Sequence, residues 1–96
     1  MAKRTTEEHL KELYKLFVSL NNEEDCKNLL EDLCTYKEVE QMAQRVAAAK
    51  MLKEKKTYAE IIEKTDISSA TLSRVSRCVQ RGSGGYVKFV GEEESL

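Results

Sequence analysis

The 96-residue sequence has no proline, no tryptophan, a single histidine and only 6% aromatic residues. Without proline, helices run uninterrupted by their commonest breaker. No apolar run approaches the roughly 18–20 residues that a membrane span needs. Residues 1–8 pass from Lys3 and Arg4 straight into polar side chains. No apolar signal region follows, so the expectation is a cytoplasmic protein rather than a secreted precursor. The three cysteines, Cys26, Cys34 and Cys78, are odd in number and lack Cys-x-x-Cys spacing. That pattern fits a reducing compartment, with each thiol a small core residue. His9 forms no zinc spacing with Cys26 and Cys34, and no Ser, Cys or Asp stands in triad-like relation to it. Gly82-Ser83-Gly84-Gly85 lacks the Gly-Lys-Ser/Thr ending of a phosphate-binding loop. Neither a metal, a cofactor nor an enzymatic activity is therefore expected.

What is present is helix-forming composition and helical punctuation. The chain is 34% charged and 41% hydrophobic, a length and balance that suit one small domain. Thr5-x-x-Glu8, Thr35-x-x-Glu38 and Thr57-x-x-Glu60 match the capping box, in which hydroxyl and carboxylate satisfy the open N–H groups of a helix start. Asn22 followed by Glu23, Glu24 and Asp25 marks a further start. Helical stripes place a first helix at about 6–20 (Leu10, Leu13, Phe17, Leu20) and a second at about 23–34 (Cys26, Leu29, Leu30, Leu33). The third, about 36–54, is apolar over much of its girth, which in so short a chain implies cover from a second subunit. The cations of Lys53-Glu54-Lys55-Lys56 close it, as its dipole prefers. Short helices at about 58–64 and 69–80 follow. Gly82 to Gly85 read as a flexible connector, 86–90 alternates like a short strand, and the chain ends in an acidic tail.

The segment from Thr57 to Arg74 has the grammar of a helix-turn-helix. A capped helix ends at Asp66, which tolerates left-handed geometry; Ile67 plugs the corner; Ser68 starts the next helix at once. On that last helix Leu72, Val75, Ser76 and Val79 fall on one side, and Ala70, Ser73, Arg74, Arg77 and Arg81 on the other. Small residues lead and arginines follow, an order that suits a recognition helix entering the major groove of duplex DNA. The candidate DNA-contacting residues are Ser68, Ser69, Ala70, Ser73, Arg74, Arg77 and Arg81, with Lys55, Lys56 and Lys64 near the phosphates. The plain alternative makes the arginines a solvated face and the lysines helix-end cations. At the level of function, the alternative is a helical protein–protein adaptor that uses the helix-turn-helix without DNA.

Over residues 33–80 the sequence resembles the Trp repressor superfamily. The carriers are Leu33-Cys34-Thr35-x-x-Glu38 with Arg45-Val46, and Ala70-Thr71-Leu72-Ser73-Arg74, which looks like that family's recognition-helix signature. The overall pattern is similar to its YerC/YecD branch. The resemblance implies an all-α, intertwined homodimer that binds an operator through two helix-turn-helix units about one DNA turn apart. Residues 1–81 then form the dimerisation and DNA-binding domain, with the helix-turn-helix at about 57–80, and 82–96 a Gly-linked tail. It further implies a small-molecule effector pocket at Thr35, Arg45, Arg74 and Cys78. Two departures argue against tryptophan as that effector: Val75 stands where the family has Gly, and Cys78, a weak hydrogen-bond partner, where it has Ser. Read without a ligand, Thr35 is a cap and Arg45 an interface or solvated charge. Trp repressors also end in a further helix, which the strand-like 86–90 replaces here.

The net charge of −1 hides a gradient. Residues 1–34 carry −3 and residues 82–96 carry −2, whereas 35–81, with ten Lys and Arg against six Asp and Glu, carry +4. The basic excess sits on the helix-turn-helix half, where phosphate contact is expected.

Overall fold

The computed structural model describes residues 5–91. Every regular element among them is helical: α1 (Thr6–Val18), α2 (Glu23–Leu33), α3 (Tyr36–Lys53), α4 (Tyr58–Thr65), α5 (Ser69–Arg81) and α6 (Gly85–Phe89). The chain divides into two compact units, one ending at Thr35 and the other beginning at Tyr36.

In the first unit each helix starts where a side chain meets an open amide. Thr5 Oγ1 accepts from the Glu8 N–H at 3.1 Å, and Asn22 Oδ1 from the Asp25 N–H at 2.8 Å. The acids Glu7, Glu8, Glu23, Glu24 and Asp25 occupy the first turns, where the helix dipole favours them. Neither helix contains a fully buried residue. Leu10, Leu16, Phe17, Val18 and Leu33 all remain exposed.

The second unit has the core. Ala48 and Ala49 of α3, Ile61 of α4, Ile67 of the following turn, and Leu72 and Val75 of α5 are buried together. The two alanines bring small side chains to the surface on which α4 and α5 pack, so those helices can approach closely. The remainder of α3 is half-buried or exposed; Val46 and Tyr36 face outward. The cysteines are unbonded and half-buried, so none is the core residue expected of it.

Helix α3 ends in a Schellman turn. Lys55 is left-handed (φ 69°), its N–H donates to the Leu52 carbonyl, and the Lys56 N–H reaches back to Met51. Helix α4 then opens on a complete capping box: Thr57 Oγ1 accepts from the Glu60 N–H, and Glu60 Oε1 accepts from the Thr57 N–H at 2.8 Å.

The segment expected as a strand is helix α6. Gly84 (φ 96°) turns the chain, and Tyr86 and Val90, four residues apart, pack against the core cluster from one helical face. A lone strand there would leave its backbone groups without a ladder. Tertiary contact therefore overrides the β-preference of Tyr, Val and Phe. The acidic residues Glu92 to Glu94 lie outside the described residues.

Candidate nucleic-acid interface

The corner between α4 and α5 is held at five points. The Thr65 hydroxyl donates to the Ile61 carbonyl at 2.7 Å and accepts from the Ile67 N–H at 3.3 Å. Asp66 takes the left-handed conformation (φ 64°, ψ 19°), with its N–H on the Ile62 carbonyl. Ile67 is buried beneath the corner. Ser68 Oγ accepts from the Thr71 N–H at 3.1 Å and so starts α5 one residue after the plug. No slack remains between the helices, which fixes the direction in which α5 leaves the core.

That direction sorts α5 into two faces. Leu72, Val75 and Ser76 are buried, and Val79 is half-buried behind them. Ala70, Ser73, Arg74, Arg77 and Arg81 are exposed on the opposite side, and Ser69 is exposed in the first turn. Ser68 is exposed at the N-terminus. The first turn of α5 contains no acid, so nothing in it offsets the partial positive charge of its open N–H groups. Among the described residues, none of the three arginines is paired with a carboxylate. Lys55 and Lys56 are exposed on the α3–α4 turn, and Lys64 on the last turn of α4. The ten residues expected to meet DNA thus all lie at the surface of one unit.

Of the four residues expected to hold an effector, Arg45, Arg74 and Cys78 belong to the second unit. A cleft of about 430 Å³ opens between the N-terminal half of α3 and the corner, lined by Lys37, Gln44, Arg45, Asp66, Ser68 and Thr71 among others. Arg45 lines it; Arg74 and Cys78 do not. Thr35 closes the other unit. Lys37 and Gln44 escape a reading of the sequence because a polar helix face has no motif; Gln41, four residues from Lys37 and three from Gln44, is the only local signal they give.

The Glu60 carboxyl is displaced. The backbone hydrogen bond from Thr57 holds the Glu60 carboxyl below its ordinary value, assisted by the Thr57 hydroxyl and by nearby Lys56 and Lys64. The group is fully exposed, so the shift comes from the cap rather than from burial.

An all-helical chain with this corner and this α5 matches the family model described as Trp repressor protein over residues 8–94. The chain belongs to the Trp repressor family. That family is regulatory and DNA-binding rather than enzymatic. Relatives support the assignment along most of the length. The uncharacterised protein YerC of Bacillus subtilis (strain 168) is 42% identical over 77 residues, covering 80% of this chain and 74% of YerC. A crystal structure of a Staphylococcus aureus protein assigned as a Trp repressor superposes with a TM-score of 0.80 at 40% identity, covering 82% of this chain and 79% of that one. A Trp repressor-like protein from Eubacterium eligens gives a TM-score of 0.81 at 39% identity, over 83% and 82%.

Proposed function

We propose that this Trp repressor family member is a cytoplasmic, sequence-specific transcriptional regulator that binds duplex DNA as a homodimer. In this reading the first turn of α5 enters the major groove. Ser69, Ala70 and Ser73 allow close approach to base edges, while Arg74, Arg77 and Arg81 reach phosphates or a guanine edge. Ser68, Lys55, Lys56 and Lys64 flank the groove and position the protein on the backbone. The single observation that carries the reading is the exposed face of α5: small residues leading, then three arginines with no carboxylate partner among the described residues.

Tryptophan is not the effector in this reading. Val75 is buried, so its side chain fills space that a Gly would leave open. Calorimetry with free tryptophan, with and without duplex, should register no binding heat. A saturable tryptophan isotherm overturns this part of the reading and leaves the DNA assignment intact.

Selection from a random duplex pool tests the main proposal. The expected product is a palindrome with half-sites about 10 base pairs apart, roughly 34 Å along the duplex. Binding should weaken steeply with salt, and Arg77→Ala should reduce the slope of log K against log salt by about 1 for each phosphate that Arg77 neutralises. Absence of salt-dependent binding to any duplex, with a partner protein engaging the same face, favours the adaptor instead.

A further inference from the structure

The carbonyls that close α6 converge on one ammonium group. Lys53, the last residue of α3, donates from Nζ to the carbonyl of Val90 at 2.7 Å, Val87 at 2.9 Å and Tyr86 at 3.4 Å. An ammonium has three donors, and three acceptors surround this one. The need lies with α6. Five residues form no stable helix alone in water, and of these three carbonyls Tyr86's alone already accepts a backbone N–H, that of Val90 at 3.1 Å. Their summed partial negative charge favours a cation. Lys53 is half-buried, whereas its neighbours Lys55 and Lys56 are exposed.

Helix α6 in turn touches the recognition helix. It packs on α5, and Tyr86 and Val90 join Val79 at the rim of the core. At its other end the chain leaves α5 through the Gly82 N–H, bonded to the Cys78 carbonyl at 2.8 Å, and turns at Gly84. The C-terminal half of α5, which carries Arg77 and Arg81, is therefore braced by a segment whose own order depends on a lysine 33 to 37 residues away.

We propose that Lys53 is a positioning residue: by fastening α6 onto α5 it holds the arginine-bearing end of the recognition helix in its DNA-binding pose. The consequence for DNA rests on the function proposed above; the fastening itself does not. Lys53 acts here without touching phosphate, and this separates it from the lysines on the adjoining turn.

The test uses Lys53→Met, which keeps the aliphatic stem, and Gly84→Val, which alters no charge. No atom lies within 4 Å of a Cβ at position 84, so Gly84→Val acts only through its left-handed backbone. Amide exchange is read in the full chain at Lys88 and Val90, whose N–H groups bond Gly84 and Tyr86, and at Gly82. Each substitution should accelerate exchange at all three amides about tenfold or more. Duplex binding by each should weaken roughly three- to tenfold with an unchanged salt slope, and the double variant should bind little more weakly than either alone. Intact protection at Lys88 and Val90 in Lys53→Met overturns the proposal. So does a salt slope reduced by about 1 per protomer, which marks direct engagement of a phosphate. If Lys53→Met loses its helical circular dichroism, Gly84→Val decides alone. If the unmodified protein binds no duplex, the functional reading fails and the fastening stands or falls on exchange at Gly82.

Discussion

Among the described residues, two that are not glycine adopt the left-handed backbone that glycine usually takes, Lys55 after α3 and Asp66 after α4. That conformation costs a non-glycine residue about 1–2 kcal/mol, less for Asp, whose short side chain tolerates it. Glycine removes the strain but adds about 0.5–1 kcal/mol of chain entropy to the unfolded state. Asp66→Gly should therefore raise stability by no more than about 1 kcal/mol, and Asp66→Val should lower it by more than about 1 kcal/mol, both read by urea denaturation. Asp66, Ile67 and Ser68 are legible in the sequence because each acts through its own backbone or its immediate neighbours. Lys53 is not. It reads as a cation closing its own helix, and nothing local shows that it closes another helix more than 30 residues along the chain. The Thr57–Glu60 cap makes a sharper residue-scale prediction. Glu60 is held below its ordinary carboxyl value, so its ionised form favours the folded state. That contribution is complete above about pH 4.5, the ordinary value, and is lost as pH falls through the depressed folded value. The stability difference between the native protein and Glu60→Ala should thus be present at neutral pH and vanish in strong acid. A difference that persists there assigns the effect to something other than the carboxylate. Thr57→Ala should cost about 1 kcal/mol at neutral pH.

At the scale of elements, α5 carries two independent duties on two faces, and substitutions should separate them. Leu72 is fully buried and packs with Ile61 and Val75. Leu72→Ala should cost about 2–5 kcal/mol, a large share of the roughly 5–15 kcal/mol that holds a domain folded. Arg77→Ala lies on the exposed face and should shift stability by no more than about 0.5 kcal/mol while weakening duplex binding. Thermal melts paired with binding curves check both; a stability loss in Arg77→Ala that matches its binding loss would give that side chain a role in the core rather than at DNA. The two faces are readable in advance because a period of 3.6 residues sorts them without tertiary knowledge. Helix α6 is not, for the converse reason. Its five residues alternate, its composition prefers a strand, and what meets it as a helix, the Lys53 ammonium, the core cluster and the left-handed Gly84, is spread along the chain. Where local preference and tertiary contact disagree in so short a segment, contact decides.

At the scale of the whole molecule, the proposed homodimer bears on α1 and α2. Thirteen and eleven residues long, they contain no buried side chain, yet Leu10, Leu16, Phe17 and Leu33 are each 39–48% exposed. Sequence alone puts the need for a second subunit on α3, whose girth is largely apolar. Within the second unit, α3 has α4 and α5 on Ala48 and Ala49. Apolar surface left in water contributes nothing, whereas burying it contributes about 25 cal/mol per Å². A second copy of the chain, as proposed above, supplies that burial on both protomers at once, since a two-fold interface uses the same surface twice. Stability then depends on concentration, because the partner binds only the folded state. On the proposed homodimer, Phe17→Asp places a charge among the apolar side chains that the second copy is to cover. Sedimentation equilibrium should give twice the chain mass for the native protein and a single chain mass for Phe17→Asp, with a lower melting temperature that no longer rises with concentration. Duplex binding by Phe17→Asp should also fall far more than by any one arginine substitution, since a single helix-turn-helix engages only one half-site. A Phe17→Asp protein that stays dimeric, or a native protein that sediments as one chain at every concentration, would remove the homodimer from the account.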